Sequence, residues 1–438
     1  MVLREIMRFS WPQITRDRSA AAIFSVALIV RLVAYVMRVQ SVPIWPAGWP
    51  GPNMWGDAVI YQTDLANILH GLVPYKDFSF NYGPLYLYSM VPFYLVSPLV
   101  SYIPTVFADA ATSVVVYLVT KQTTKDTTLA GVAGVAYAAF PFAIINEGYL
   151  WMSSQPMTLF MLLAVYFAVK KSPFASMCSL AVAAMFKQEA LFIVIPLILF
   201  NVRTDLMKSI KGIAASVGLY VAGVAPFLAV APLETIYSLM YGRWIDFGSA
   251  PGYGMPLAPF QQGASAIANI CTYTTYTLTG AFTGSVCGAI VNTTAFTSPS
   301  FLGPLTEFTF LIMPWIIIIA SITLLAVRKS PVLLQLSSVF TMLMMLYLFS
   351  YLVHSVIAYY FLPVYALMLA AATNKTTTVI GILAAILVSF TPEGELQLLV
   401  PTIAILAITI AESMRLEKVS PSSSRSSLPS SPQQEQAP

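Results

Sequence analysis

AAAIFSVALIVRLVAYVMRV, residues 20–39, is an apolar run interrupted by Ser25 and two cations, Arg31 and Arg38, and by no acid. A helix of about 20 residues matches the roughly 30 Å hydrocarbon core of a bilayer. Similar windows recur near 85–100, 103–120, 128–145, 154–170, 174–200, 210–231, 304–327, 331–350, 355–373, 376–391 and 395–412. Charged residues are 9% of the chain, apolar residues 58%, and the mean hydropathy is +0.77, a balance that a lipid-facing surface requires and a water-facing one does not sustain. A transmembrane β-barrel alternates apolar and polar residues in stretches of about ten, whereas these runs are continuous. The expected fold is an all-α polytopic membrane protein of about twelve spans. No basic binding stripe is present, and nucleic acid is not an expected partner.

Orientation follows from the basic loops. Arg4, Arg8, Arg16 and Arg18, the Arg203/Lys208/Lys211 loop, Arg328 with Lys329, and Arg415 with Lys418 all belong on the cytoplasmic side, which leaves both termini inside and 41–84 and 232–303 outside. The arginines ahead of the first span, with no small-residue cleavage site after it, make that span a retained anchor. Simple alternation, however, sends Lys121, Lys125, Lys170 and Lys171 outward and Glu147 inward. A re-entrant segment at 85–100, where Pro84, Pro92 and Pro98 cluster, together with a break of 174–200 at Lys187, reverses this. The sequence leaves both arrangements open. The expected division is a membrane module over residues 1–412 and a disordered cytoplasmic tail over 413–438, which from Ser420 onward is nearly all Ser, Pro, Gln and Arg and lacks the apolar surface to fold. Cys271 and Cys287 are a disulfide pair or free thiols, and Asn292-Thr293-Thr294 is a glycosylation sequon.

Between the first two windows lies a polar and aromatic stretch: Trp55, Gly56, Asp57, Tyr61, Asp64, Leu69, His70, Gly71, Pro74, Tyr75, Asp77, Phe78, Tyr82, Gly83, Pro84 and Leu85. Tyr61, Leu65, Ile68 and Leu72 recur at helical intervals, so a surface helix buries this stripe. Asp57 at its start is either an N-cap or an acid turned inward.

This stretch resembles the first external loop of membrane glycosyltransferases of the GT-C fold, which take a sugar from a polyprenyl-phosphate carrier. The resemblance rests on Asp57 and Tyr61; on Ala66, Leu69 and Gly71; on Pro74-Tyr75 with Asp77-Phe78; and on Tyr82, Pro84 and Leu85. FPFAIINEGYLW (Phe140 to Trp151), the Lys187-Gln188 pair and HSVIAYYFLP (His354 to Pro363) also resemble recurrent features of such enzymes, closest in style to polyprenyl-phosphate-mannose-dependent mannosyltransferases and archaeal relatives.

The resemblance implies a GT-C-like bundle with external loop helices, transferring a hexose, mannose or similar, from a polyprenyl- or dolichyl-phosphate donor to a lipid, glycan or protein acceptor at the outer face of the plasma membrane. Inverting transfer needs a base for the acceptor hydroxyl and cations for the departing phosphate. Asp57 is the implied base. His354, near Tyr359, is the implied phosphate contact, with Lys187 and Tyr61 as further donor or substrate contacts; Arg243, beside Tyr241 and Trp244, is a third cation candidate or an ordinary surface arginine, and Glu147 is a second acid at the site only in the topology that leaves it outside. Lys187, in an apolar run, demands a partner, either Glu189 or that phosphate. Asp57 and Asp64 alone are weak grounds for a divalent ion, so no metal or other cofactor is required. The rival readings are a transporter or lipid flippase, which places ionisable groups near the midplane and often has repeated halves, and a non-catalytic membrane scaffold.

Overall fold

The computed structural model describes residues 17–40, 42, 56–78, 80, 82–239, 272–273, 285–286, 319, 330–352, 358–390 and 395–419. They form an all-α polytopic membrane protein, with a single antiparallel pair of two-residue strands, Thr272–Tyr273 and Ser285–Val286, as the exception among the described residues. Among the described residues, four helical stretches are long and apolar enough to cross a membrane: Arg18–Val39, Pro98–Thr124, Thr127–Tyr149 and Leu206–Val230.

Helix α1 (Arg18–Val39) is capped by Asp17, whose carboxylate accepts from the backbone of Ser19 and Ala20. The same carboxylate receives the Tyr117 hydroxyl at 2.8 Å and the Lys121 ammonium at 2.7 Å. Both donors lie near the C-terminal end of α4 (Ile103–Thr124), so α1 and α4 run antiparallel. Between them in sequence come α2 (Gly56–Leu69) and α3 (Leu85–Tyr94). At 1.5 Å per residue α3 is about 15 Å long, half of a bilayer core. The window at 85–100 is therefore not a span: α3 and the 3-10 turn Pro98–Tyr102 form a bent entry to α4, tied to α1 by the Tyr35 hydroxyl donating to the Leu99 carbonyl. Leu95 and Val96, at the bend, are 67% and 76% exposed, as lipid-facing residues are.

Helix α5 (Thr127–Ala138), capped by Asp126, packs closely on α4 at Gly134, where a Cβ would stand 2.9 Å from Tyr117. A π-helical turn, Ile144–Tyr149, extends it. Helices α6 (Gln155–Val169) and α7 (Pro173–Phe186) follow as a hairpin. The window at 174–200 is likewise two elements, not one. It divides at Lys187, and α8 (Val194–Thr204) folds back so that the Asn201 amide, in its last turn, donates to Ser176 in the first turn of α7 at 3.0 Å. Helix α9 (Leu206–Val230) runs parallel to α7: Gly212 meets Phe174 and Gly223 meets Met185. It is followed by α10 (Pro232–Leu239). Much of α9 presents Met207, Ile210, Val217 and Val221 outward.

The C-terminal helices α11 (Pro331–Leu352), α12 (Leu362–Ala370), α13 (Lys375–Phe390) and α14 (Glu395–Val419) complete the bundle. Gln335 bonds Thr123 at 2.5 Å, Thr120 bonds the Ala370 carbonyl at 3.3 Å, and Glu412 accepts from Thr373 and Asn374. These contacts and the helix directions gather Lys121, Lys125, Lys170, Lys171, Arg203, Lys208, Lys211 and Lys375 at one end of the bundle and Glu147 and Lys187 at the other. Simple alternation of the early windows is thus replaced by the re-entrant, broken-span arrangement. The physical cause is local: prolines shorten α3, and an ammonium group cannot continue an apolar helix through lipid. Helix α14 continues past residue 412 to Val419. The window at 304–327 lies outside the described residues except for residue 319.

Candidate functional site

The end opposite the basic loops is built around the break at Lys187. Phe186 closes α7, Lys187 is extended (φ −158°, ψ 131°), and a 3-10 turn, Gln188–Ile193, leads into α8. The side chain is fully buried, where an unpartnered ammonium costs several kcal/mol. Its Nζ lies 3.1 Å from Glu189 Oε1, 3.6 Å over the ring of Tyr360 and 4.9 Å from that of Tyr82. One cation thereby joins the outer segment, the broken hairpin and the turn Ala358–Phe361.

The outer segment is shaped for this contact. Gly71 ends α2 in a left-handed conformation (φ 82°). Asp77 accepts the Val73 amide at 2.7 Å, and the Tyr75 hydroxyl donates to the Tyr82 carbonyl at 2.6 Å. Gly83 then lies directly on α7, where a Cβ would stand 2.0 Å from the Met185 carbonyl oxygen. Gly83→Ala is accordingly expected to push residues 82–84 off the end of α7, at a cost of about 1–3 kcal/mol or more. Faster hydrogen exchange in residues 72–86, with the basic end unchanged, is the expected reading.

Helix α2 turns Tyr61, Asp64 and Leu65 inward, all buried, with Ile68 packed beside them. Leu72, the expected fourth member of the stripe, lies beyond the helix and is exposed; Asp64 joins the inward face instead. The ring of Tyr61 is 5.0 Å from that of Tyr86 and 6.1 Å from that of Tyr82. Asp57 is in the first turn of α2, one turn before Tyr61 and on the same helical face. Its side chain is outside the described residues.

Glu147 occupies the π-helical turn and is fully buried. It faces Gln155 and stands within the fields of Asp109, Lys187 and Arg31. Behind it, Arg31 is paired with Asp109 and donates to the carbonyls of Ala138 at 2.8 Å and Ala27 at 3.3 Å. The Tyr137 hydroxyl donates to Asp109 at 2.9 Å and lies 3.4 Å from the Gln155 carbonyl oxygen. Arg38 stacks over Tyr149 at 5.2 Å and Trp151 at 5.8 Å. Among the described residues, the buried cations at this end, Arg31, Arg38 and Lys187, are therefore all engaged.

Of the residues singled out from sequence, Tyr61 and Lys187 both pack on Tyr82, and Glu147 stands within the field of Lys187. Tyr359 belongs to the turn Ala358–Phe361, in which the side chains of Tyr360 and Phe361 are described and that of Tyr359 is not. His354 and Arg243 lie outside the described residues, as do Cys271, Cys287 and Asn292. Asp109, Tyr137, Gln155, Tyr82 and Tyr360 were not anticipated as members of this cluster. Asp109 had a legible signal, an acid within an apolar window that needs a partner, and Arg31 is the cation deep in the first window.

Residues 60–247 match the family model of the GPI transamidase subunit PIG-U. The match begins just after Asp57, includes Tyr61, Glu147, Lys187 and Arg243, and spans less than half of the chain. No curated protein and no solved structure matches. The similarity to PIG-U is to a membrane protein that is a subunit of a transamidase; it lends no support to glycosyltransferase activity.

Proposed function

We propose that this chain is a non-catalytic subunit of a membrane transferase assembly, and that it holds a lipid-linked saccharide at the end of the bundle where Tyr61, Glu147 and Lys187 lie. The observation behind this is the state of Lys187. A cation paired with Glu189 and seated on Tyr360 and Tyr82 acts as a clamp between three segments, with its charge already balanced. Arg31 and Arg38 are committed in the same way. Similarity to PIG-U, itself a subunit, favours the same role. By the positive-inside rule the end rich in lysine and arginine faces the cytoplasm, so this site lies at the extracytoplasmic end.

A second reading is favoured by the position of Asp57 in the first turn of α2, one turn before Tyr61. Here the chain is the polyprenyl-phosphate-sugar-dependent hexosyltransferase that its outer segment resembles. Asp57 takes the proton of the acceptor hydroxyl, the acceptor oxygen bonds the anomeric carbon with inversion, and the polyprenyl phosphate leaves, His354 and Arg243 being the candidate contacts for its charge. No metal is needed for that step.

One experiment separates them. Purified chain in nanodiscs is incubated with radiolabelled polyprenyl-phosphate mannose, or the glucose equivalent, and membrane extract, alone and with its co-purifying membrane proteins. The subunit role is expected to give no label transfer by the chain alone and transfer by the assembly that Asp57→Asn leaves unchanged. Transfer by the chain alone that falls about 10²–10⁴-fold in Asp57→Asn would establish the enzyme instead.

A further inference from the structure

Between the π-helical turn and α6, residues 147–155 concentrate buried polar atoms that meet no hydrogen-bond partner among the described residues. They are the indole nitrogen of Trp151 and the hydroxyls of Ser153 and Ser154; beside them the Glu147 carboxylate and the Gln155 amide nitrogen have no partner but each other. Native proteins leave only a few such groups per hundred residues, because each is costly to desolvate. The backbone here is also held away from its most stable forms: residues 144–149 are π-helical, and Trp151 is left-handed at φ 59°. A stretch in this state gains most from a ligand that supplies hydrogen bonds.

The chemistry of that ligand follows from the set of groups. Two acceptors on Glu147, donors on Trp151 and Gln155, and two hydroxyls that do either form a mixed set, which suits a partner whose own groups both donate and accept. A phosphate brings only acceptors and negative charge to Glu147. Asp109 and Glu189 are committed to Arg31 and Lys187, leaving too few carboxylates for a metal ion. Trp151 is held in place by Tyr102, stacked on it at 4.6 Å, and by Tyr35 at 5.4 Å.

We propose that Glu147, Trp151, Ser153, Ser154 and Gln155 form the binding site for the hydroxyl-bearing face of a neutral saccharide ring. This names the ligand class of the site and rests on the reading that the chain holds a saccharide at this end. Glu147 accepts from two ring hydroxyls, and the Gln155 amide and Trp151 indole donate to others. Because these atoms are sealed from solvent, binding reorganises residues 147–155 and moves Trp151 out of its left-handed conformation.

The test uses the full chain in nanodiscs with methyl α-mannoside and methyl α-glucoside as probes, read by saturation-transfer NMR and by hydrogen exchange. In the wild type, saturation is expected to reach the sugar ring protons, and exchange of residues 147–155 is expected to slow when sugar is bound. Glu147→Ala and Gln155→Leu are each expected to weaken binding about tenfold or more; Ser153→Ala, a milder change, keeps the test valid if either variant fails to fold. Sugar binding by the wild type that all three variants retain would overturn this site while leaving saccharide binding at this end intact. Absence of binding in the wild type would overturn both.

Discussion

Arg31→Ala is expected to destabilise the protein by about 3–5 kcal/mol, the cost of leaving a buried charge without its partner. Asp109 is fully buried, and its carboxylate is satisfied by Arg31 and by the Tyr137 hydroxyl. With the guanidinium gone, water cannot reach it, and one neutral donor does not balance its charge. Asp109→Ala has the converse effect, leaving Arg31 with carbonyl acceptors only. The discriminating variant is the double replacement Arg31→Met with Asp109→Leu, which removes both charges and keeps the volume; it is expected to recover most of the loss. Thermal unfolding in nanodiscs gives the comparison, and the effect should hold in high salt because the pair lies beyond the reach of screening ions. A single replacement that leaves the unfolding temperature unchanged would show that the pair does not hold α1 against α4.

The second large effect is expected at Lys187. Lys187→Met strands Glu189 in the interior and removes the cation from between Tyr360 and Tyr82. The loss of the pair is worth about 3–5 kcal/mol, with about 2 kcal/mol more for desolvated cation–π contact. The consequence should be regional. Segments 72–84 and 358–361 are held to the end of α7 by this side chain, so their amides should exchange faster, while the Asp17–Lys121 contact at the far end stays protected. Lys187→Met combined with Glu189→Gln should restore much of the stability without restoring the cation–π clamp. Uniform loosening of the whole bundle would instead mean that Lys187 serves the core in general and not this end.

Much of the architecture was legible because membrane insertion is governed by hydrophobicity summed along a short stretch of chain. The first window matches α1 nearly to its ends, and the proline-rich 85–100 region and Lys187 already marked where regular spans fail. The site was only partly legible. Tyr61, Glu147 and Lys187 were singled out, but what each touches comes from segments far away in sequence. Tyr360 against Lys187 and Asp109 against Arg31 have no periodicity or spacing that announces them, since packing between helices obeys shape and charge, not sequence distance. Leu72 shows the same limit at close range: its interval fits a helical stripe, yet Gly71 ends the helix first and turns it outward.

The sequence by itself determined that this is an all-helical membrane protein, since so few charges and such long apolar runs have no other stable home. It also narrowed the early spans to two arrangements. The tertiary structure decided between them, by folding the chain back at Lys187 and bending it before α4, and it alone paired Arg31 with Asp109 and Lys187 with Glu189. The division has one physical reason. Partition into lipid is a property of each segment alone, whereas a buried charge is tolerated only through the particular partner that a distant segment brings to it.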